Sequence, residues 1–313
     1  MSAAVFIDGA VGTTGLEIAD RLAGRSEFTL VTLDETRRKD AGARAEALND
    51  ADFVILCLPD DAAREAVAMI RNDRVRVIDA SSAHRTAAGW TYGFPEVIGR
   101  EAIASASRVS NPGCYPTGFI ALLAPLVSAG LLPSDWPYIC HAVSGYSGGG
   151  KAMIAQFEGD PDIAYRAYGL AMNHKHVPEM QRHVGLSTAP LFAPAVIPAH
   201  RGMLVEVPLQ LAAMKASGFA GAAAPEALLA SLAEAYRGSR VVKVLDDQPG
   251  ELVLRASMEP IDTLELYVFG SVDGPQARLA AVLDNLGKGA SGAAVQNLNL
   301  MAGIDETAGL RLL

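Results

Sequence analysis

The sequence predicts an α/β protein with a doubly wound first part and an α+β second part built on a mixed sheet. Two observations carry this. Up to residue 113, runs that are apolar throughout alternate with helix-period segments of roughly ten residues, the pattern of a parallel sheet covered on both faces. Beyond Cys114 the apolar runs are more alternating and several lie close together, as in a mixed or antiparallel sheet. A chain of 313 residues is long enough for two ordinary domains.

Residues 4–8, AVFID, form the first strand and enter a glycine turn. TGLEIADRLAG then places Leu16, Ile18, Ala19 and Leu22 at helical spacing and ends at Gly24. FTLVTL is a second strand, RAEALND a helical piece, ADFVILCLP a buried strand ending at Pro59, DAAREAVAMIR its helix and VRVIDAS a further strand. In the second part YPTGFIALLAPLVSAGLL reads as a long helix. YICHAVSG, APAVIPA, MLVEVPLQL, SRVVKVL, ELVLRASM and LELYVFGSV read as strands. GFAGAAAPEALLASLAEAY is alanine-rich at helical spacing, and ARLAAVLDNLGKGASGAAVQNLNLMAG reads as helical with a glycine-rich interruption at 287–292.

Composition narrows the function. With 35 acidic against 26 basic residues the net charge is -9, which argues against general nucleic-acid binding and for a small-molecule partner. The longest apolar stretch, FIALLAPLVSAGLL, is broken by Pro125, Ser128 and Gly130 and is too short to span a bilayer. The first apolar run stops at Asp8, short of a secretory signal, so a cytoplasmic protein is expected. Cys57, Cys114 and Cys140 form no C-x-x-C, which makes reduced thiols the default. H-x-H at 174–176 lacks a clear third ligand, so no metal is expected.

GAVGTTG places Gly9, Gly12 and Gly15, with Thr13 and Thr14 between them, where the first strand meets the first helix. Glycine there permits a tight turn and lets a phosphate approach the helix N-terminus, so these residues are candidate dinucleotide contacts, joined by Pro59. The second strand ends at Asp34, about 20 residues on, where a ribose is read. Asp34 suits the free 2′-hydroxyl of NAD, whereas Arg37 and Arg38 suit the 2′-phosphate of NADP.

In SNPGCYPTG, Pro112 and Gly113 constrain the approach to Cys114, and a helix beginning near Pro116 or Thr117 points its amides at the sulfur. That placement favours thiolate, the form a nucleophile needs, while Cys57 and Cys140 lie in strands as small hydrophobes. Among His84, His141, His174, His176, His183 and His200, NHKHVPEM stands out. Pro178 suits a first helical position, which leaves His176 in the lead-in, with His174 facing elsewhere if that lead-in is extended. SGYSGGGK offers backbone amides, Ser144, Ser147 and Lys151 to a phosphate, and Arg201 a fork for a carboxylate.

With these residues assembled, the chain resembles the N-acetyl-gamma-glutamyl-phosphate reductases in their shorter, type 2 form. The resemblance runs nearly end to end through GAVGTTGLEI, NDADFVILCLPDDAA, IDASSAHR, SNPGCYPTG, SGYSGGGK, HKHVPEM and GKGASGAAVQNLNLM. It implies a structure like that of aspartate-semialdehyde dehydrogenase and the phosphorylating glyceraldehyde-phosphate dehydrogenases. Residues 1–113 are then a Rossmann-type NADP-binding domain, 114–286 a catalytic and oligomerisation domain, and 287–313 a C-terminal helix returning to the nucleotide domain. It implies NADP as cofactor, a homo-oligomer of two or four chains, Cys114 as the acylated nucleophile, His176 as acid/base and Asn297 near the nicotinamide. The implied reaction is NADPH-dependent reduction of N-acetyl-gamma-glutamyl phosphate to the 5-semialdehyde in arginine biosynthesis. An aspartate-semialdehyde dehydrogenase and a non-catalytic NADP-binding sensor remain as alternatives.

Overall fold

In the computed structural model, which describes residues 2–216, 224–271 and 275–313, the chain divides into two units. One holds the residues up to Gly113 with Ala290–Leu310, the other Cys114–Gly289 with Arg311–Leu313.

The first unit runs β1 (Ala3–Asp8), α1 (Thr13–Leu22), β2 (Phe28–Val31), α2 (Ala41–Asp50), β3 (Phe53–Leu56), α3 (Asp60–Met69), β4 (Arg76–Asp79), β5 (Thr91–Tyr92), α4 (Pro95–Ile98), α5 (Arg100–Ser105) and β6 (Arg108–Ser110). Its strands pair in parallel in the order β2-β1-β3-β4-β6-β5. The uninterrupted apolar runs have a direct cause here. Successive side chains of a strand point to opposite faces, and both faces are covered. Val5, Ile7, Phe53, Ile55 and Ile78 enter one core, while Phe6, Val54, Leu56 and Val77 enter the other.

The second unit runs α6 (Cys114–Ser128), β7 (Ile139–Gly145), a 3₁₀ turn at Tyr146–Gly149, α7 (Gly150–Gly159), β8 (Arg166–Ala167), α8 (His176–Val184), β9 (Leu191–Ile197), β10 (Met203–Leu209), α9 (Leu211–Ala216), α10 (Pro225–Ala235), β11 (Val242–Val244), β12 (Leu264–Gly270) and β13 (Ala277–Leu283). The strand order is β11-β12-β13-β10-β7-β9-β8. β7 with β9 and β11 with β12 are parallel, and the other pairings antiparallel, so the sheet is mixed as expected. Buried α6 lies so close to this sheet that a Cβ at Gly118 would stand 2.8 Å from Val205 Cγ2.

A π-helical turn, Gly287–Ser291, fills the glycine-rich interruption and leads into α11 (Gly292–Met301). α11 belongs to the first unit, where Ala294, Val295, Leu298 and Met301 join the core that holds Val5 and Ile78.

Several expectations change. ARLAAVL is β13 rather than helix, because its alternate residues are clamped between β10 and β12 in two antiparallel ladders. ELVLRASM is irregular, ending in a turn closed by Met258 N–H on the Arg255 carbonyl, since β11 and β13 already occupy both sides of β12. Of the alanine-rich run, residues 218–223 lie outside the described residues and the helix begins at Pro225. Gly287–Gly289 and Arg311–Leu313 belong to the second unit, not to the returning tail. No helix among the described residues is long and apolar enough to cross a membrane.

Candidate active site

In the first unit the candidate site is a backbone cradle. Gly9 adopts φ +91°, and a Cβ there would stand 2.3 Å from the Cys57 carbonyl oxygen. A Cβ at Gly15 would stand 2.5 Å from the Gly9 carbonyl oxygen, so the turn folds onto both itself and the end of β3. Only glycine fits at these two places. Gly12 is the N-cap of α1 with no side-chain bond from its own position, which leaves the amides at Thr13, Thr14 and Gly15 for an anion. Pro59 occupies the equivalent cap of α3. The close-packed glycines and the uncapped helix start fit the pyrophosphate of a dinucleotide.

The turn after β2 does not set Asp34 against the arginines but joins them. Asp34 Oδ1 accepts from Thr36 N–H at 2.9 Å, Thr36 Oγ1 at 2.6 Å and Arg37 N–H at 2.9 Å. The Thr36 hydroxyl first, then the Arg37 amide, hold this exposed carboxyl below its usual range. Asp34 therefore shapes the turn that carries Arg37 and Arg38, whose guanidinium groups meet Glu46 at 3.2 Å and Glu35 at 2.7 Å. At the carboxyl end of β4, fully buried Asp79 accepts from Ser81 N–H and Oγ and lies 2.6 Å from His84 Nδ1, while Trp90 stacks on that imidazole at 4.1 Å. IDASSAHR marks this cluster in the sequence without disclosing the role of Asp79.

Asn297 is fully buried. Its Nδ2 donates to the Gly93 carbonyl at 2.9 Å and to Asn111 Oδ1 at 3.1 Å, and Asn111 Nδ2 donates in turn to the Ala290 carbonyl. Those carbonyls fix both amide orientations and leave Asn297 Oδ1 a buried acceptor without a hydrogen-bond partner among the described residues. Asn297 thus braces α11.

In the second unit α6 begins at Cys114 itself, two or three residues earlier than expected, so the sulfur is carried on the first helical residue. There the positive end of the helix dipole favours thiolate. Gly289 makes room beside it, since a Cβ at 289 would lie 2.9 Å from Cys114 Cβ. Tyr115 and Tyr168 face the same sulfur. Burial is the main reason that both phenols rise, Tyr168 to about 12, and Cys114 contributes to each. Tyr115 donates to the Ala195 carbonyl at 2.9 Å. The other thiols are poor nucleophiles: burial, then Asp79 and Asp8, pushes Cys57 up to about 12, and burial raises Cys140.

His176 is buried, with its ring centroid 6.0 Å from that of Tyr115. It is the first residue of α8 rather than part of a lead-in, since the helix starts two residues before Pro178. Lys175 has right-handed helical backbone angles, not extended ones, so His174 does not face elsewhere. Its ring meets His176 edge-to-face at 4.7 Å. Tyr168 and Phe192 complete this aromatic cluster, and no local motif marks their approach.

The anion-binding expectations are narrowed. SGYSGGGK is the end of a strand, a 3₁₀ turn and a helix start. The amides of Gly145, Tyr146 and Ser147 are taken by the carbonyls of Gly202, Ala199 and His200. Ser144 Oγ donates to the Gly145 carbonyl, and Ser147 Oγ accepts from Asn285. Lys151 is exposed on α7. Arg201 is nearly buried and pairs at 2.7 Å with buried Asp284, which also accepts from the amides of Ile261 and Leu286.

Comparison with known proteins accords with this geometry. Residues 4–106 match the semialdehyde dehydrogenase NAD binding domain and residues 114–285 the semialdehyde dehydrogenase dimerisation domain. The chain is 52% identical over 308 residues to N-acetyl-gamma-glutamyl-phosphate reductase 2 of Pseudomonas putida, covering 96% of each chain. It is 53% identical over 308 residues to an N-acetyl-gamma-glutamyl-phosphate reductase of Burkholderia ambifaria, again covering 96% of each. Among solved structures, aspartate semialdehyde dehydrogenase from Francisella tularensis aligns with a TM-score of 0.70 at 13% identity over 96% of this chain and 99% of that one. Aspartate semialdehyde dehydrogenase II from Vibrio cholerae aligns with a TM-score of 0.67 at 18% identity over 97% and 99%. The fold is that of these dehydrogenases, the cofactor class a nicotinamide dinucleotide.

Proposed function

Since the chain belongs to the N-acetyl-gamma-glutamyl-phosphate reductases of the semialdehyde dehydrogenase family, we propose that it reduces N-acetyl-gamma-glutamyl phosphate to N-acetylglutamate 5-semialdehyde with release of phosphate, as a step of arginine biosynthesis in the cytoplasm. The observation that carries the chemistry is Cys114 on the first residue of α6, close enough to buried Tyr115 and half-buried Tyr168 for its charge to act on both phenols, in a cluster that also holds His176.

Cys114 thiolate attacks the acyl-phosphate carbonyl, and the tetrahedral oxyanion is stabilised by first-turn amides of α6. Its collapse expels phosphate and leaves a thioester, which accepts hydride where a free carboxylate does not. A bound nicotinamide supplies that hydride. His176 protonates the alkoxide formed by hydride addition to give the thiohemiacetal and takes the proton back as it collapses, releasing the aldehyde and returning sulfur as thiolate. Exposed Lys151 receives the phosphate and Arg201, held by Asp284, the substrate α-carboxylate. Gly9, Gly12, Thr13, Thr14, Gly15 and Pro59 would hold NADP as the cofactor, and Arg37 and Arg38 would take its 2′-phosphate. The dimerisation domain supports a homo-oligomer of two or four chains.

The test is phosphate-dependent NADP reduction with N-acetylglutamate semialdehyde, with aspartate semialdehyde as the competing substrate. Preference for the free amino acid sinks the substrate assignment, and NADP binding without turnover leaves only a sensor. His176→Ala is expected to slow turnover by roughly 10²–10⁴-fold with the fold intact. A larger loss from His174→Ala moves the acid/base role to that residue.

A further inference from the structure

We infer that His174 is a positioning residue: its imidazole, as a neutral acceptor, holds the backbone of His176 and thereby aims the acid/base. The inference rests on the role of His176 given above.

A helix leaves its first amides without intrahelical partners, and they are usually met by an oxygen from Ser, Thr, Asp or Asn at the cap. α8 has lysine there, whose ammonium has no acceptor to offer. His174 takes over both tasks. Its carbonyl accepts from Val177 N–H at 3.0 Å, and its ring Nδ1 accepts from His176 N–H at 3.2 Å. Nδ1 can accept only when the ring is neutral and its proton is on Nε2. The surroundings favour that form, since burial and then the charge of Lys175 lower the affinity of this imidazole for a second proton.

The ring is also locked in place. Tyr168 meets it edge-on at 5.6 Å, Phe192 at 5.1 Å and His176 itself at 4.7 Å. An acceptor tied to the His176 amide and a ring face against the His176 imidazole fix both the Cα and the side chain of one residue. A group that moves a proton must be held within hydrogen-bond reach of the reacting oxygen, and a misplacement of about 1 Å costs up to 10²-fold.

Two substitutions separate the acceptor from the ring. His174→Phe keeps the aromatic packing and removes the acceptor. His174→Asn removes most of the ring but places an amide oxygen where Nδ1 lies, and asparagine is a preferred cap. With the full-length enzyme, NADP and N-acetylglutamate semialdehyde, His174→Phe is expected to lower kcat by about 10–100-fold at unchanged KM. His174→Asn is expected to stay within a few-fold of the parent. Wild-type kcat in His174→Phe, a defect in KM alone, or equal impairment of the two variants would each overturn the assignment. If His174→Phe does not fold, His174→Leu provides the acceptor-free arm. A His176→Ala enzyme that retains turnover instead removes the premise, which is a separate outcome from any result at position 174.

Discussion

Two helix starts in this molecule use the same physics for different ends. α1 opens on Gly12 with threonines in its first turn, and the glycine turn before it leaves no room even for a methyl group at Gly9 or Gly15. α6 opens on Cys114, with Gly289 set against the cysteine Cβ. Both present a positive dipole end. At α1 the anion must come from outside, so side chains are cleared away. At α6 the helix carries its own ionisable atom, and the surroundings are phenols and imidazoles that handle protons. In the function proposed above, the first of these helix starts holds a phosphate and the second carries the nucleophile.

The contrast can be broken first at the sulfur. Cys114→Ala is expected to reduce turnover by at least about 10³-fold while NADP binding, followed by fluorescence titration, stays unchanged. Retained turnover would end the account of α6. At α1 the test is steric. Gly9→Ala drives a Cβ into the Cys57 carbonyl at a positive φ and is expected to cost about 2–4 kcal/mol in denaturant unfolding, with loss of nucleotide binding. Gly12→Ala, whose Cβ would stand 3.3 Å from the Gly9 carbonyl oxygen, is expected to cost distinctly less.

A smaller effect is expected at the ribose-reading turn. Replacing both Arg37 and Arg38 by alanine removes charged contacts to a 2′-phosphate and is expected to raise the Kd for NADP by about 10–100-fold, with little change for NAD. Equal loss for both nucleotides would assign the arginines to Glu46 and Glu35 alone. The smallest perturbation is chemical. A thiol with a pKa of about 12 is only about 10⁻⁴ ionised at pH 8, so iodoacetamide at that pH is expected to label Cys114 and spare Cys57, and buried Cys140 likewise. Peptide mapping by mass spectrometry reads this directly, and early labelling of Cys57 would contradict it.

Much of the first unit was legible because its signals are local. A strand buried on both faces reads as FVIL, and a turn that tolerates no Cβ reads as glycine. The helix start at Cys114 was legible only approximately, because the helical residues Tyr115 and Pro116 read equally well as its approach. The orientation of His174 was not legible. It depends on the αR backbone of Lys175 and on Tyr168 and Phe192, which lie on other elements. β13 was misread for a similar reason: ARLAAVL carries enough alanine and leucine for a helix, but two antiparallel neighbours make it a strand.

The sequence by itself determined where the chain must bend, which faces must be buried and which residues carry reactive atoms, because hydrophobic period, glycine geometry and side-chain chemistry are properties of short segments. Only the tertiary structure decided which of those atoms serve chemistry and which hold others in place. Asp34 shapes a turn, Arg201 is held by Asp284, and His174 accepts from the backbone of His176. Arg201 and Asp284 lie far apart in the chain, and His174 is set by Phe192 on β9; even the short-range contacts of Asp34 and His174 follow from backbone angles that the surrounding fold fixes.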